Sequence, residues 1–104
     1  MSKLYSKEML DTLAEREFEV AVEFMNGDIE VGIFKYPKYH HRGGYALRPL
    51  TINEGGTYFS RSQVKRIVYL SNGLVYPKEK NGPHKILNML DLNELVNKAG
   101  YEYL

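Results

Sequence analysis

A chain of 104 residues, 43% apolar and 26% charged, is long enough for one modest core, too short for two ordinary domains, and far from the composition of a disordered segment. The absence of cysteine excludes disulfides, thiolate nucleophiles, zinc ribbons and iron–sulfur clusters. The formal net charge of +1 implies no polyanion partner by itself, but it conceals a segregation: −5 over residues 1–30, +8 over 31–85 and −2 over 86–104.

The opening MSKLYSKEML lacks the apolar core of a secretory leader, and no apolar run approaches the roughly 20 residues that span a bilayer. The expectation is a cytoplasmic protein without a membrane partner. Ser6 is placed to cap a helix in which Leu10, Leu13 and Ala14 share one face, ending near Arg16. From Phe18 the period changes to two. Phe18, Val20, Val22 and Phe24 alternate with Glu17, Glu19, Ala21 and Glu23, the pattern of a half-buried strand with an outward acidic face.

Asn26-Gly27 suits a type I′ turn, and Ile29, Val31 and Ile33 resume alternation on a returning strand. Gly32, inside that strand, marks a bend or the close approach of another backbone. Residues 45–52 read as a third strand weakened by Pro49, Asn53 to Gly56 as a turn, and 57–61 as a fourth strand. A short turn over 62–64 leads to a strand over 65–70. Ser71-Asn72-Gly73 turns the chain into Leu74–Tyr76, stopped by Pro77. Residues 77–83 form a polar connection. Beyond it, Asp91 to Glu94 has capping-box spacing, Leu92, Leu95, Val96 and Ala99 form an apolar stripe, and Gly100 stands where a helix ends.

A helix, an Asn-Gly hairpin with a mid-strand glycine, a third strand and a tight turn between two last strands follow one another as in the Sm-like small barrels. Within that superfamily residues 9–34 resemble most the Hfq family of bacterial RNA chaperones, through Leu10, Leu13, Arg16, Val20, Val22, Asn26, Gly27, Gly32 and Ile33. The stretch YFSRSQVKRIV, residues 58–68, is similar to that family's second signature, with Val64 and Ile67 at its apolar positions. The likeness covers about residues 6–70. It implies a strongly bent five-stranded barrel, RNA binding, and a homo-oligomeric ring joined through the edges of the last strands. Two departures bear on function. The family's Lys-His pair stands here as Arg61-Ser62, and its adenine-stacking residues on the hairpin are replaced by Glu23, Asp28 and Glu30, which repel phosphate.

The segment KYPKYHHRGGYALRP, residues 35–49, holds four permanent cations, two histidines, three tyrosines and no acid. One reading is a nucleic-acid contact in which Lys38, Arg42 and Arg48 neutralise phosphates while Tyr36, Tyr39 and Tyr45 stack on unpaired bases; the other is a solvated loop. His40 and His41 point to opposite faces of an extended chain, which argues against a shared metal ion. Glu17, Glu19 and Glu23 read as a solvated face rather than a catalytic pair. Ser60 and Ser62 have no histidine nearby in sequence, and the paired glycines fit no phosphate loop.

The sequence therefore predicts a single mainly β domain, a strongly bent five-stranded barrel of Sm-like or SH3-like type, with an N-terminal helix and the barrel over 1–76 and a linker and added C-terminal helix over 77–104. Its expected function is non-enzymatic and needs no cofactor or metal. It is RNA or single-stranded nucleic-acid binding through Lys38, Tyr39, Arg42, Tyr45, Arg48, Arg61, Lys65 and Arg66. The alternative is a protein-binding regulator or inhibitor, of the kind mobile elements carry, using the acidic hairpin and the basic loop as opposite patches.

Overall fold

The structure is a computed structural model that describes residues 4–37, 44–49, 56–79, 81–82 and 85–98. In chain order it has α1 (Lys7–Arg16), β1 (Glu19–Phe24), β2 (Ile29–Lys35), β3 (Tyr45–Arg48) and β4 (Thr57–Phe59). A 3-10 turn (Arg61–Gln63), β5 (Val64–Tyr69), β6 (Leu74–Tyr76), β7 (Lys85–Ile86) and α2 (Met89–Lys98) complete it. Among the described residues the strands form one antiparallel sheet in the order β4-β3-β2-β1-β5-β6-β7, seven where five were expected.

The helical spacing near the N-terminus is realised. Leu10, Leu13 and Ala14 are buried on one face of α1, and Glu17, at φ 52°, ends the helix in the left-handed region. Ser6 occupies the cap position, but its hydroxyl caps nothing; its carbonyl accepts the Leu10 N–H at 3.1 Å.

Val20, Val22 and Phe24 of β1 face α1 together with Phe34, Leu47, Phe59 and Ile67 of the neighbouring strands. The Phe24 and Phe59 rings meet at 5.2 Å, edge to face. Their strands are three places apart in the sheet, about 14 Å if it were flat, so β1 to β4 curl around this cluster. The pairing of β1 with β5 slips between Glu23 and Phe24, which leaves Lys65 as an extra residue. That bulge lets Val64 and Ile67, three apart in sequence, face the same core.

The expected outward face of β1 is covered in the middle. Ala21 is fully buried, because Val31, Val68 and Leu70 join it under Leu92, Leu95 and Val96 of α2. That helix starts earlier than its expected capping box at Asp91. The Asn88 side chain accepts the Asp91 N–H at 2.8 Å, so Asn88 is the cap and Asp91 lies in the first turn. Ala99 and Gly100 lie outside the described residues, as do 50–55.

The Asn-Gly turn also differs from expectation. Gly27 has φ 95°, but Asn26 does not take a positive φ, so the turn is not type I′. Instead the Asn26 carboxamide oxygen accepts the Asp28 N–H at 2.9 Å. Gly32 is where the sequence placed a close approach: a methyl group there would collide with the carbonyl of Arg48 on β3. The short β7 had no counterpart in the sequence reading; Leu87, just after it, donates its N–H to the Gly73 carbonyl at 2.9 Å.

Tyr5, ahead of α1, is buried, and its hydroxyl accepts the Ile67 N–H and donates to the Tyr76 carbonyl, both at 3.0 Å. Ile67 and Tyr76 are partners across β5 and β6, so this hydroxyl joins the two strands. Burial pushes its pKa up to about 12.

Two outcomes are expected. Gly32→Ala loses about 1–3 kcal/mol in urea unfolding, because the obstacle is backbone that cannot rotate away. Tyr5→Phe loses about 1–3 kcal/mol, since the Ile67 N–H is left unpaired. The pKa of the folded state lies above the ordinary 10.0, so the stability linked to the neutral hydroxyl is complete below pH 10.0 and drains away towards about pH 12. Melting curves across that window should fall less steeply for Tyr5→Phe than for the parent.

Candidate functional site

Three of the eight residues singled out in sequence, Lys38, Tyr39 and Arg42, lie outside the described residues, as do His40, His41 and His84. The other five occupy three elements. Tyr45 begins β3 with only 2% of its surface exposed, and its hydroxyl donates to Asp11 Oδ1 at 2.9 Å. Its ring lies 5.4 Å from Phe34 and 6.2 Å from Tyr36. Tyr45 pins α1 to the sheet and has no face free for a base. The alternation of β3 accounts for this: Tyr45 and Leu47 point into the core, while Ala46 and Arg48 are half-exposed. Tyr36 and Tyr76 reach the same helix, with their hydroxyls 3.5 Å from the Asp11 carbonyl and 3.4 Å from that of Met9.

Arg48 and Arg61 are half-exposed and, among the described residues, form no ion pair. Lys65 and Arg66 on β5 both face Glu23 of β1. Lys65 Nζ stands 3.7 Å from Glu23 Oε2, and Arg66 Nε stands 3.1 Å from Oε1 at an angle too poor for a hydrogen bond. Lys35, at the end of β2, is 2.8 Å from Glu17 and holds that carboxyl below its ordinary pKa. The strands thus bring acids of residues 1–30 against cations of the basic middle and neutralise part of the segregated charge.

A cleft of about 300 Å³ opens between the β1–β2 turn and the β4 strand with its following 3-10 turn. Phe24 and Phe59, the ring pair of the core, contribute to its lining. Met25 and Tyr58, 51% and 66% exposed, add apolar surface open to solvent. Asp28 and Glu30 supply carboxylates, and among the described residues no lysine or arginine lines it.

Its parts are held from several sides. The Asn26 carboxamide donates to Asp28 Oδ2 at 3.1 Å and accepts that residue's N–H. The Met25 N–H donates to the Gln63 carbonyl at 2.8 Å, tying the hairpin turn to the 3-10 turn. Thr57 donates its hydroxyl to Glu30, and the Ser60 N–H donates to Gln63 Oε1 at 2.8 Å. The sequence signal for this cleft was Met25, an apolar side chain at a turn position where polar residues are the rule.

Ser60 Oγ is 3.0 Å from Ser62 Oγ and 3.3 Å from Gln63, neither of them a base. Among the described residues no three histidines, aspartates or glutamates gather as metal ligands, and no helix is long and apolar enough to cross a membrane.

Compared with protein families, with curated proteins and with solved structures, the chain finds no match.

Because Tyr45 is a structural pin, Tyr45→Phe should lower the thermal stability by about 1–2 kcal/mol and leave anion binding unchanged in a salt titration. Asp11 offers a pH test of the same contact. Burial opposes its charge, but hydrogen bonds from Lys7 and Tyr45 outweigh burial and hold the pKa below the ordinary 3.8. That contribution is therefore present above pH 3.8 and is lost as the pH falls through the lower folded-state value. Asp11→Ala should flatten the acid limb of the melting-temperature profile.

Proposed function

We propose that this chain is a small non-enzymatic protein-binding module, acting as a regulator or inhibitor of one partner. The observation that carries this reading is the cleft beside β4, where Met25 and Tyr58 present apolar surface to solvent within an acidic setting that repels phosphate. Protein partners are recognised by such combinations of exposed aromatic side chains and complementary charge. The pairing of Lys65 and Arg66 with Glu23 supports it further, because those cations are partly neutralised within the chain.

A barrel of Sm-like type remains the reading of the fold, supported by the order of helix and strands and by the curl that brings Phe24 onto Phe59. A ring joined through β4 and β5 is disfavoured by β6, which pairs along the outer side of β5 and takes half of that joint. Nucleic-acid binding is the second reading. It is favoured by Arg48 and Arg61, which have no ion-pair partner among the described residues, and by Lys38 and Arg42 of the basic stretch in the sequence.

Light scattering should give the mass of a single chain, and single-stranded RNA should not shift at low salt. Nucleic acid retained through purification, or RNA affinity that falls steeply with salt, would overturn the protein-binding reading in favour of the second.

A further inference from the structure

We propose that the cleft between the β1–β2 turn and β4 receives an arginine side chain from an extended segment of a partner protein, and that this segment lies along the open side of β4. The inference deepens the protein-binding reading and rests on it. Its first ground is charge. Among the described residues the lining holds Asp28 and Glu30 and no cation, and Asp28 is exposed and hydrogen-bonded to Asn26, so one carboxylate is presented to solvent. A basic group is the complement such a setting selects.

The second ground is the apolar surface beside the charge. Tyr58 and Met25 are largely exposed, and the Phe24–Phe59 pair lies beneath them. An ammonium group gains little from such walls because it stays strongly hydrated. A guanidinium is planar, stacks on aromatic rings and pairs with a carboxylate through two parallel N–H donors, so this combination favours arginine over lysine. The volume, about 300 Å³, lies at the small end of ligand sites and suits one or two side chains rather than a large cofactor.

The third ground is the neighbouring backbone. Among the described residues β4 is an end strand that pairs with β3 on one side only, and Tyr58 lies at its centre. An extended segment added to such an edge gains main-chain hydrogen bonds, while its alternate side chains enter whatever pocket lies alongside. Edge, aromatic wall and carboxylate therefore converge on one occupant: a strand-forming segment with an arginine at alternating spacing.

The test uses the full chain and a capped pentapeptide of alternating valine and arginine, with lysine and glutamate counterparts, followed by amide chemical shifts. The expected result is saturable shifts confined to residues 25–30 and 57–63, strongest for the arginine peptide and absent for the glutamate one. Asp28→Asn and Tyr58→Ala, both at exposed positions and checked for folding by melting temperature, should each weaken binding roughly tenfold. Shifts that map elsewhere would overturn the cleft assignment while leaving the protein-binding reading intact. The absence of any peptide binding would also overturn the cleft assignment. RNA binding in place of peptide binding would overturn both. Self-association that perturbs the same residues without peptide would show that the occupant is a second copy of this chain and would overturn the partner proposal.

Discussion

One buried hydroxyl ties the architecture together. Tyr5 sits before the first helix, yet its oxygen joins Ile67 of β5 to Tyr76 of β6. A polar group taken out of water needs partners, and here both partners are backbone groups that the strands leave to it. The same residue packs with Leu10 and Leu13 in the inner core, and the Ser6 N–H donates to the Lys78 carbonyl at 3.2 Å. The start of the chain therefore fixes where α1 lies and also holds the strand that extends the sheet beyond β5. Tyr36, Tyr45 and Tyr76 repeat the device from the sheet side, each directing its hydroxyl to the backbone or a carboxylate of α1.

This use of tyrosine explains much of the distance between the residues that looked functional and those that line the cleft. Tyrosine beside lysine and arginine in a linear sequence is compatible with base stacking, but it is equally the residue that buries a ring while satisfying one polar atom. For Tyr45, strand parity with Leu47 decides between the two, and it points inward. The cations were legible as charges and illegible as pairs. That Glu23 would face both Lys65 and Arg66 depends on the register of β1 against β5, including the slip after Glu23, and register is a long-range property.

Part of the local chemistry was legible. The three-and-four spacing of Leu10, Leu13 and Ala14 and the requirement for glycine at position 32 needed only the sequence. The misses share a cause, since each was settled by a competing partner. Asn88 offers the α2 terminus a cap three residues ahead of Asp91. The Asn26 side chain binds the Asp28 backbone and alters the turn. The cover supplied by α2 turns Ala21, which alternation assigned to solvent, into a core residue. The cleft was the least legible feature, because it forms where a hairpin turn, an end strand and a 3-10 turn meet.

The covering of β5 by β6, and of Ala21 by α2, also orders events in time. Synthesis proceeds from the N-terminus, so helix α1 and strands β1 to β5 leave the ribosome before the segments that cover them. At roughly 5–20 residues per second, the stretch from residue 70 to residue 96 takes a few seconds to make. During that interval the nascent sheet carries a bare β5 edge and an uncovered apolar face, the two features that invite pairing with a neighbouring chain. The last third of the sequence thus acts as a late seal over both features.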